Sequence, residues 1–410
     1  MNKLLGTIAR TIARLTTPHL NKILRSERPI AFDWRLDTRP LPPNVPGRTA
    51  TQRDPAKKVD VRRPYRILCL DGGGIRGILT TTILKRICKH KPSFLDNVDL
   101  IVGTSAGGLL SLLLASGYTA DECDDIYSFA GNHIFGHNPW RAINPFRAKY
   151  SDKAKQELLQ HYYGTRTMGD LQKTCAVIAF RLDGRKSHTH RLFNKEGWRP
   201  AVFSNMPQAG GLIRPDDDLL VWDAAMRTSA APTFFPVFRG YTDGGIVANN
   251  PTVVAISKAM AHYPHLNMGN IAVLSIGAGT FPRHLQLLSK HSSGNHSNGD
   301  TEAVEESSPL WRADWGIKQW IPYLLDIILD GDSVTTEMVV QYLLAANGLY
   351  HRIDPRLPRW IALDEVTAAQ QDFDNDLHNS LDSSSSYNDA WHRSVQSQEA
   401  QQQKPQENVQ

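Results

Sequence analysis

What the chain lacks narrows the field first. Only four cysteines, Cys69, Cys88, Cys123 and Cys175, occur in 410 residues, and no two are spaced C-x-x-C. That argues against a disulfide framework or a zinc ribbon and fits thiols in a reducing compartment. Long apolar runs are also missing. The run "LLSLLLA" (109–115) falls far short of the roughly 18 residues that span a bilayer. Charge of one sign is weak: 46 basic against 41 acidic residues leave a net +5. That excess is not gathered into a block, so it makes no case for nucleic acid, although it suits an anionic membrane surface. The closest histidine pairs, His188-x-His190 and His133-x-x-x-His137, have no convincing third ligand, so no metal site and no cofactor are expected.

Acidic residues are absent before Glu27, and residues 1–35 read as a basic amphipathic N-terminal segment. Leu4, Leu5, Ile8, Ile12 and Leu15 share one helical face, while Lys3, Arg10 and Arg14 interrupt any signal-peptide core. A helix docked on the domain, a membrane-surface helix and an organelle transit peptide all fit. Residues 36–64 form a Pro/Arg-rich linker. A domain follows over 65–365, in which strand-like runs (65–70, 98–102, 175–180, 271–276) alternate with helix-like ones (78–90, 251–263, 321–331). That alternation predicts an α/β fold with a mostly parallel sheet covered on both faces. The polar, turn-rich stretch 289–309 reads as a mobile insertion, and the Ser/Gln-rich residues 370–410 as a disordered tail. No leader or spanning segment is recognised, so the expected location is the cytoplasm, peripheral on membranes, with organelle targeting as the alternative.

Three glycine motifs carry the chemistry. "GTSAG" (103–107) places Ser105 between a strand and an apolar helix, the setting in which G-x-S-x-G makes a nucleophile elbow. Gly103 and Gly107 remove side chains that would collide across the turn, and the amide of Ala106, next after the serine, is a candidate oxyanion donor. "DGGGIRG" (71–77) also joins a strand to a helix. Its amides at Gly72, Gly73 and Gly74 could approach a developing oxyanion without a Cβ in the way, with Arg76 adding charge and Gly77 opening the helix. Gly72, Gly74 and Gly77 fit the dinucleotide fingerprint as well, but that motif needs an acid at the end of the next strand. Gly103-Thr104-Ser105 stands there instead. In "YTDGGIVANNP" (241–251), Asp243 precedes Gly244 and Gly245 and then a helix.

Taken in order, "DGGGIRG", "GTSAGG" and "DGG" resemble the patatin-like phospholipases, and "WDAAMRTSAAPTFFP" (222–236) and "VANNP" (247–251) are similar too. The resemblance covers about residues 65 to 360. It implies a three-layer α/β/α fold and a carboxylic ester hydrolase that releases fatty acids from phospholipids or related acyl lipids. It also implies a Ser105–Asp243 dyad with no histidine, a glycine-rich oxyanion hole and no obligatory metal. Some bacterial members are switched on by nucleotide second messengers and others by host cofactors, so an unidentified activator belongs among the expected partners, beside the lipid and the membrane surface. An aspartate with an ordinary pKa of about 3.9 is a poor base near neutrality, so the dyad requires burial to raise it.

Two alternatives remain open in the sequence. One is a Ser–Asp–His esterase in that chain order, for which His351 in "LYHRIDP" is the reasonable histidine. The other is a non-catalytic lipid-binding protein of the same fold. Arg227, and tryptophans such as Trp311, Trp315 and Trp320, could also serve a lipid site, as a phosphate or carboxylate contact and an entrance lining respectively.

Overall fold

A computed structural model describes residues 63–135, 144, 146–183, 197–206, 216–281, 316–344 and 349–366, all within the compact unit Leu41–Gln410. The N-terminal segment, nearly all of the linker, the 289–309 insertion and the 370–410 tail lie outside the described residues.

Seven strands form one sheet: β1 (Tyr65–Leu70), β2 (Leu100–Thr104), β3 (Cys175–Arg181), β4 (Arg199–Ser204), β5 (Tyr241–Asp243), β6 (Ile271–Ile276) and β7 (Tyr350–Ile353). The spatial order is β4-β3-β2-β1-β6-β7, with β5 also paired to β3. β1, β2, β3, β6 and β7 run parallel to their neighbours, whereas β4 and β5 pair antiparallel with β3. The central strands are apolar at nearly every position because both faces are covered.

Side chains alternate across the sheet, and the two sets feed two cores. Leu68, Leu70, Ile101, Val177 and Ile276 pack under helices α1 (Gly77–His90), α2 (Ser105–Ala115), α3 (Ala120–Ile134), α4 (Lys153–Tyr163) and α5 (Val221–Thr228). Ile67, Cys69, Val102, Ile178 and Val273 face the other way, toward α6 (Gly245–Ala248), α7 (Thr252–His262) and α8 (Ile317–Leu344). The result is the three-layer α/β/α arrangement. All four cysteines are unpaired; Cys69, Cys123 and Cys175 are buried.

The longest helix departs from the sequence expectation. α8 has 28 residues where 321–331 was anticipated. "DGD" at 330–332 looks like a helix stop, but Asp332 instead accepts from the Asn250 amide at 3.0 Å, and Ser333 accepts from the Asn249 side chain at 3.0 Å. These contacts with the loop after β5 carry the helix past Gly331, a residue that costs about 1 kcal/mol against alanine mid-helix.

Candidate active site

β2 ends at Thr104, which pairs with Ile178 of β3, and on the same edge β5 takes over one residue later, with Asp243 opposite Ala179. Two short strands thus meet end to end along β3. Their meeting point brings together side chains 138 residues apart in sequence: Ser105 Oγ donates to Asp243 Oδ2 at 2.6 Å.

The serine sits at φ 52°, in the left-handed region that non-glycine residues seldom occupy. Such a conformation costs about 1–3 kcal/mol and must be held by its surroundings. A Cβ on Gly103 would lie 2.1 Å from the Gly107 carbonyl oxygen, and one on Gly107 would lie 2.2 Å from the Leu70 carbonyl oxygen, so the turn closes only with glycine at both places. Thr228 completes the clamp: its hydroxyl accepts from the Ser105 amide at 3.0 Å and donates to the Ile178 carbonyl at 2.5 Å. Thr104 donates to the Ala248 carbonyl at 2.6 Å, tying the elbow to the turn after Asp243.

Asp243 is buried, and the Gly245 amide donates to its other oxygen at 2.7 Å. Burial pushes its pKa up to about 6, against the pull of the Ser105 hydroxyl, the Gly245 amide and the Lys155 ammonium. The carboxylate is therefore ionised at neutral pH yet far more basic than an exposed aspartate.

Both residues open into an apolar pocket whose void, including its mouth, is about 1070 Å³. Leu109 and Leu113 of α2, Ile126 and Ile134 of α3, Leu158 and Leu159 of α4, and Leu325 and Leu329 of α8 supply much of its wall. An apolar cavity with a few convergent polar groups is the usual form of a small-molecule site.

The glycine loop departs from expectation at two positions. Gly72 lies outside the pocket lining, and its amide donates to the Asn249 carbonyl at 3.1 Å, so that N–H is committed and does not serve as an oxyanion donor here. Arg76 is buried with its guanidinium against the Gly279 carbonyl at 3.3 Å and over the Trp360 ring, outside the lining, so it adds no charge at the pocket wall. Gly73, Gly74 and Ala106 do line the pocket beside Ser105. Gly74 has φ 58°, and a Cβ there would strike the Leu363 carbonyl oxygen at 2.3 Å. Ala106 stands in the first turn of α2, where amides lack intrahelical partners and the helix dipole is positive.

No histidine lines the pocket among the described residues. His351 belongs to β7, at the far edge of the sheet, with β6 and β1 between it and β2, which leads into Ser105, so it is not brought to Ser105 and Asp243. Arg227 is a structural ion pair, 2.6 Å from Asp223 and stacked over Tyr241. Trp320 is exposed outside the pocket lining, while Trp311 and Trp315 lie outside the described residues. Among the described residues no cluster of His, Cys, Asp or Glu is arranged to hold a metal ion. Three contributors went unread in the sequence: Thr228, Lys155 and Tyr127, whose hydroxyl donates to the Ala106 carbonyl. Thr228 at least sits inside the "WDAAMRTSAAP" stretch; the other two carry no local signal.

A family model, "Patatin-like phospholipase", matches residues 68–256. Those residues form a patatin-like phospholipase domain. Ser105, Asp243 and both glycine loops fall inside the match. Among similar proteins, a putative sporulation hydrolase CotR of Bacillus subtilis (strain 168) is 27% identical over 313 residues, covering 73% of this chain and 90% of that protein. The 85/88 kDa calcium-independent phospholipase A2 of Mus musculus is 26% identical over 321 residues, 76% of this chain but 38% of the mouse protein. A cGAMP-activated phospholipase of Escherichia coli (strain TW11681) is 33% identical over 210 residues, 47% of this chain and 54% of that one. The chain thus spans most of the first of these relatives but well under two thirds of the other two.

Proposed function

We propose that the chain is a lipid acyl hydrolase in which Ser105 attacks an ester carbonyl and Asp243 is its general base. The observation that carries this reading is the 2.6 Å hydrogen bond from Ser105 to a buried carboxylate at the wall of an apolar pocket. The Ser105 proton passes to Asp243 as the tetrahedral intermediate forms, and from Asp243 to the departing alcohol as the acyl-enzyme is left. Water then repeats the sequence and releases the fatty acid. The amides of Gly73, Gly74 and Ala106 are the donors for the oxyanion, and preorganised donors of this kind contribute about 3–4 kcal/mol each. The pocket's leucines and isoleucines suit an acyl chain. Relatives named as phospholipases favour phospholipid as the substrate class, and those named as cGAMP-activated are a reason to include nucleotide activators in assays.

Contact with a lipid surface belongs to the same reading. Leu325 and Leu329 of α8 face the pocket, and Leu324, Ile327, Ile328, Val334, Met338 and Tyr342 of that helix are exposed. The apolar surface therefore runs from the pocket wall around the helix.

Fatty-acid release from mixed phospholipid vesicles by wild type and Ser105→Ala tests the proposal, with a fluorophosphonate probe in the same tubes. Release and labelling that both vanish with Ser105→Ala are the expected result. Release that persists in Ser105→Ala rejects the nucleophile, and a wild type that neither releases nor labels, with nucleotide activators present, rejects the hydrolase.

A further inference from the structure

The pocket wall holds one cation that the mechanism above does not use. Lys155 of α4 is 2% exposed, and lysine is rarely buried to this extent unless paired. Its ammonium donates to the Ser229 carbonyl at 2.7 Å and lies 3.7 Å from the centre of the Phe235 ring. The adjacent carbonyl, that of Ala230, accepts from the Asp243 amide at 3.0 Å and from the Thr242 hydroxyl at 2.8 Å. One peptide thus separates the group that grips the lysine from the group that grips the base.

We propose that Lys155 is a positioning residue of the Ser105–Asp243 site: its buried ammonium anchors the 229–230 segment that presents Asp243 and favours that side chain's carboxylate form within the apolar pocket. This rests on the hydrolase reading given above.

The charges acting on Lys155 are Asp243, which shares the pocket lining, and Asp152, just before α4; acting on Asp243 are Lys155 and the neutral Ser105 hydroxyl. Burial pushes Lys155 down to about 7 and Asp243 up to about 6, each held back by the other's charge. The signs then fix the behaviour. Below about 7 the ammonium is present and opposes protonation of Asp243. Well above it the lysine is neutral, but there the carboxylate needs no help. Removing the charge therefore raises the Asp243 pKa and harms the acid side of the pH profile most.

The test is the rate of Ser105 labelling by a fluorophosphonate across pH, which needs nucleophile and base but no lipid. It is run on the full chain as wild type, Lys155→Met and Lys155→Arg, with thermal melts alongside. Methionine has similar volume and no charge, but it leaves Asp243 and the Ser229 carbonyl without their buried partner, so the melts are needed to separate lost stability from a moved limb. For Lys155→Met the expected result is an acid limb moved to higher pH by about half a unit to one unit, a threefold to tenfold loss below the limb. The rates should converge toward wild type in alkali, the melt should still show one cooperative folded transition, and the limb should return in Lys155→Arg. A limb that stays in place in a folded Lys155→Met overturns the inference, as does a lowered melt with an unmoved limb, which marks a merely structural lysine. Should Lys155→Arg fail to fold, Lys155→Met against wild type still decides. A wild type that is not labelled at any pH overturns the hydrolase reading and this inference with it.

Discussion

Two aspartates in this molecule occupy nearly the same local setting. Asp71 follows β1 and Asp243 ends β5; each is succeeded by glycines, each is buried, and burial pushes the pKa of each upward. They differ in what faces them. Asp71 meets the Arg352 guanidinium at 2.7 Å, in a cluster where Arg352 also reaches Asp354 at 2.6 Å and the Ser275 hydroxyl at 2.8 Å. Asp243 meets a serine hydroxyl and a pocket. The first carboxylate is occupied as a countercharge beneath the glycine loop; the second keeps a hydroxyl proton within reach. Burial raises the pKa of both carboxylates, and the partner determines what each can do: an arginine cation engages the first, and a hydroxyl proton lies within reach of the second.

The comparison can be broken by removing each charge in turn. Asp71→Asn leaves the Arg352 cation with less compensation, and breaking a buried pair destabilises by about 3 kcal/mol or more. A denaturant melt checks this, and activity should fall only as the folded fraction falls. Asp243→Asn should act with the opposite sign: burial raises both carboxylates, but a guanidinium is left without its partner at Asp71 and none is left at Asp243. Its pKa is raised from 3.8 to about 6, so the unfolded chain is the one that more readily ionises there, and stability declines as pH rises through that window. Asparagine removes the charge, and melts near neutrality should show an unchanged or higher midpoint, a gain of up to about 3 kcal/mol less the loss from the altered hydrogen bonds. If both variants melt lower to the same degree, the distinction between the two carboxylates fails.

Smaller effects sharpen the same contrast. The kcat/KM profile for vesicle or short-chain lipid should fall as pH drops through about 6, because a protonated Asp243 cannot take the serine proton. An acid limb near 4 would mean that the base is not buried as described. His351→Ala should be the mildest change, with activity within about twofold of wild type, since His351 lies at the far sheet edge.

Which of these features the sequence announced follows from how local each one is. The elbow was legible because its demands fall within five residues: a Cβ on Gly103 or Gly107 would lie little more than 2 Å from a carbonyl oxygen, and no other residue fits. The central strands were legible because they are buried on both faces. Asp243 was a different matter. β5 is three residues long, too short for any periodicity, and its meeting with β2 depends on how β3 divides its edge. Its role came from family resemblance and not from pattern. The error over Gly72 has a similar origin, because a run of three glycines does not reveal which amide Asn249 will claim. Lys155 was invisible for the plainest reason. In "KAKQELLQHYY" a lysine reads as part of a solvated face, and only the folded chain turns it toward the pocket.

The central claim is that Asp243 alone serves as the base for Ser105. The most direct test is the kcat for fatty-acid release from mixed phospholipid vesicles by Asp243→Asn, measured on protein whose melt matches or exceeds that of wild type. The account predicts a fall of about 10³-fold or more. A folded Asp243→Asn that keeps more than about a tenth of wild-type turnover would contradict it, because general-base loss costs at least about 10²-fold.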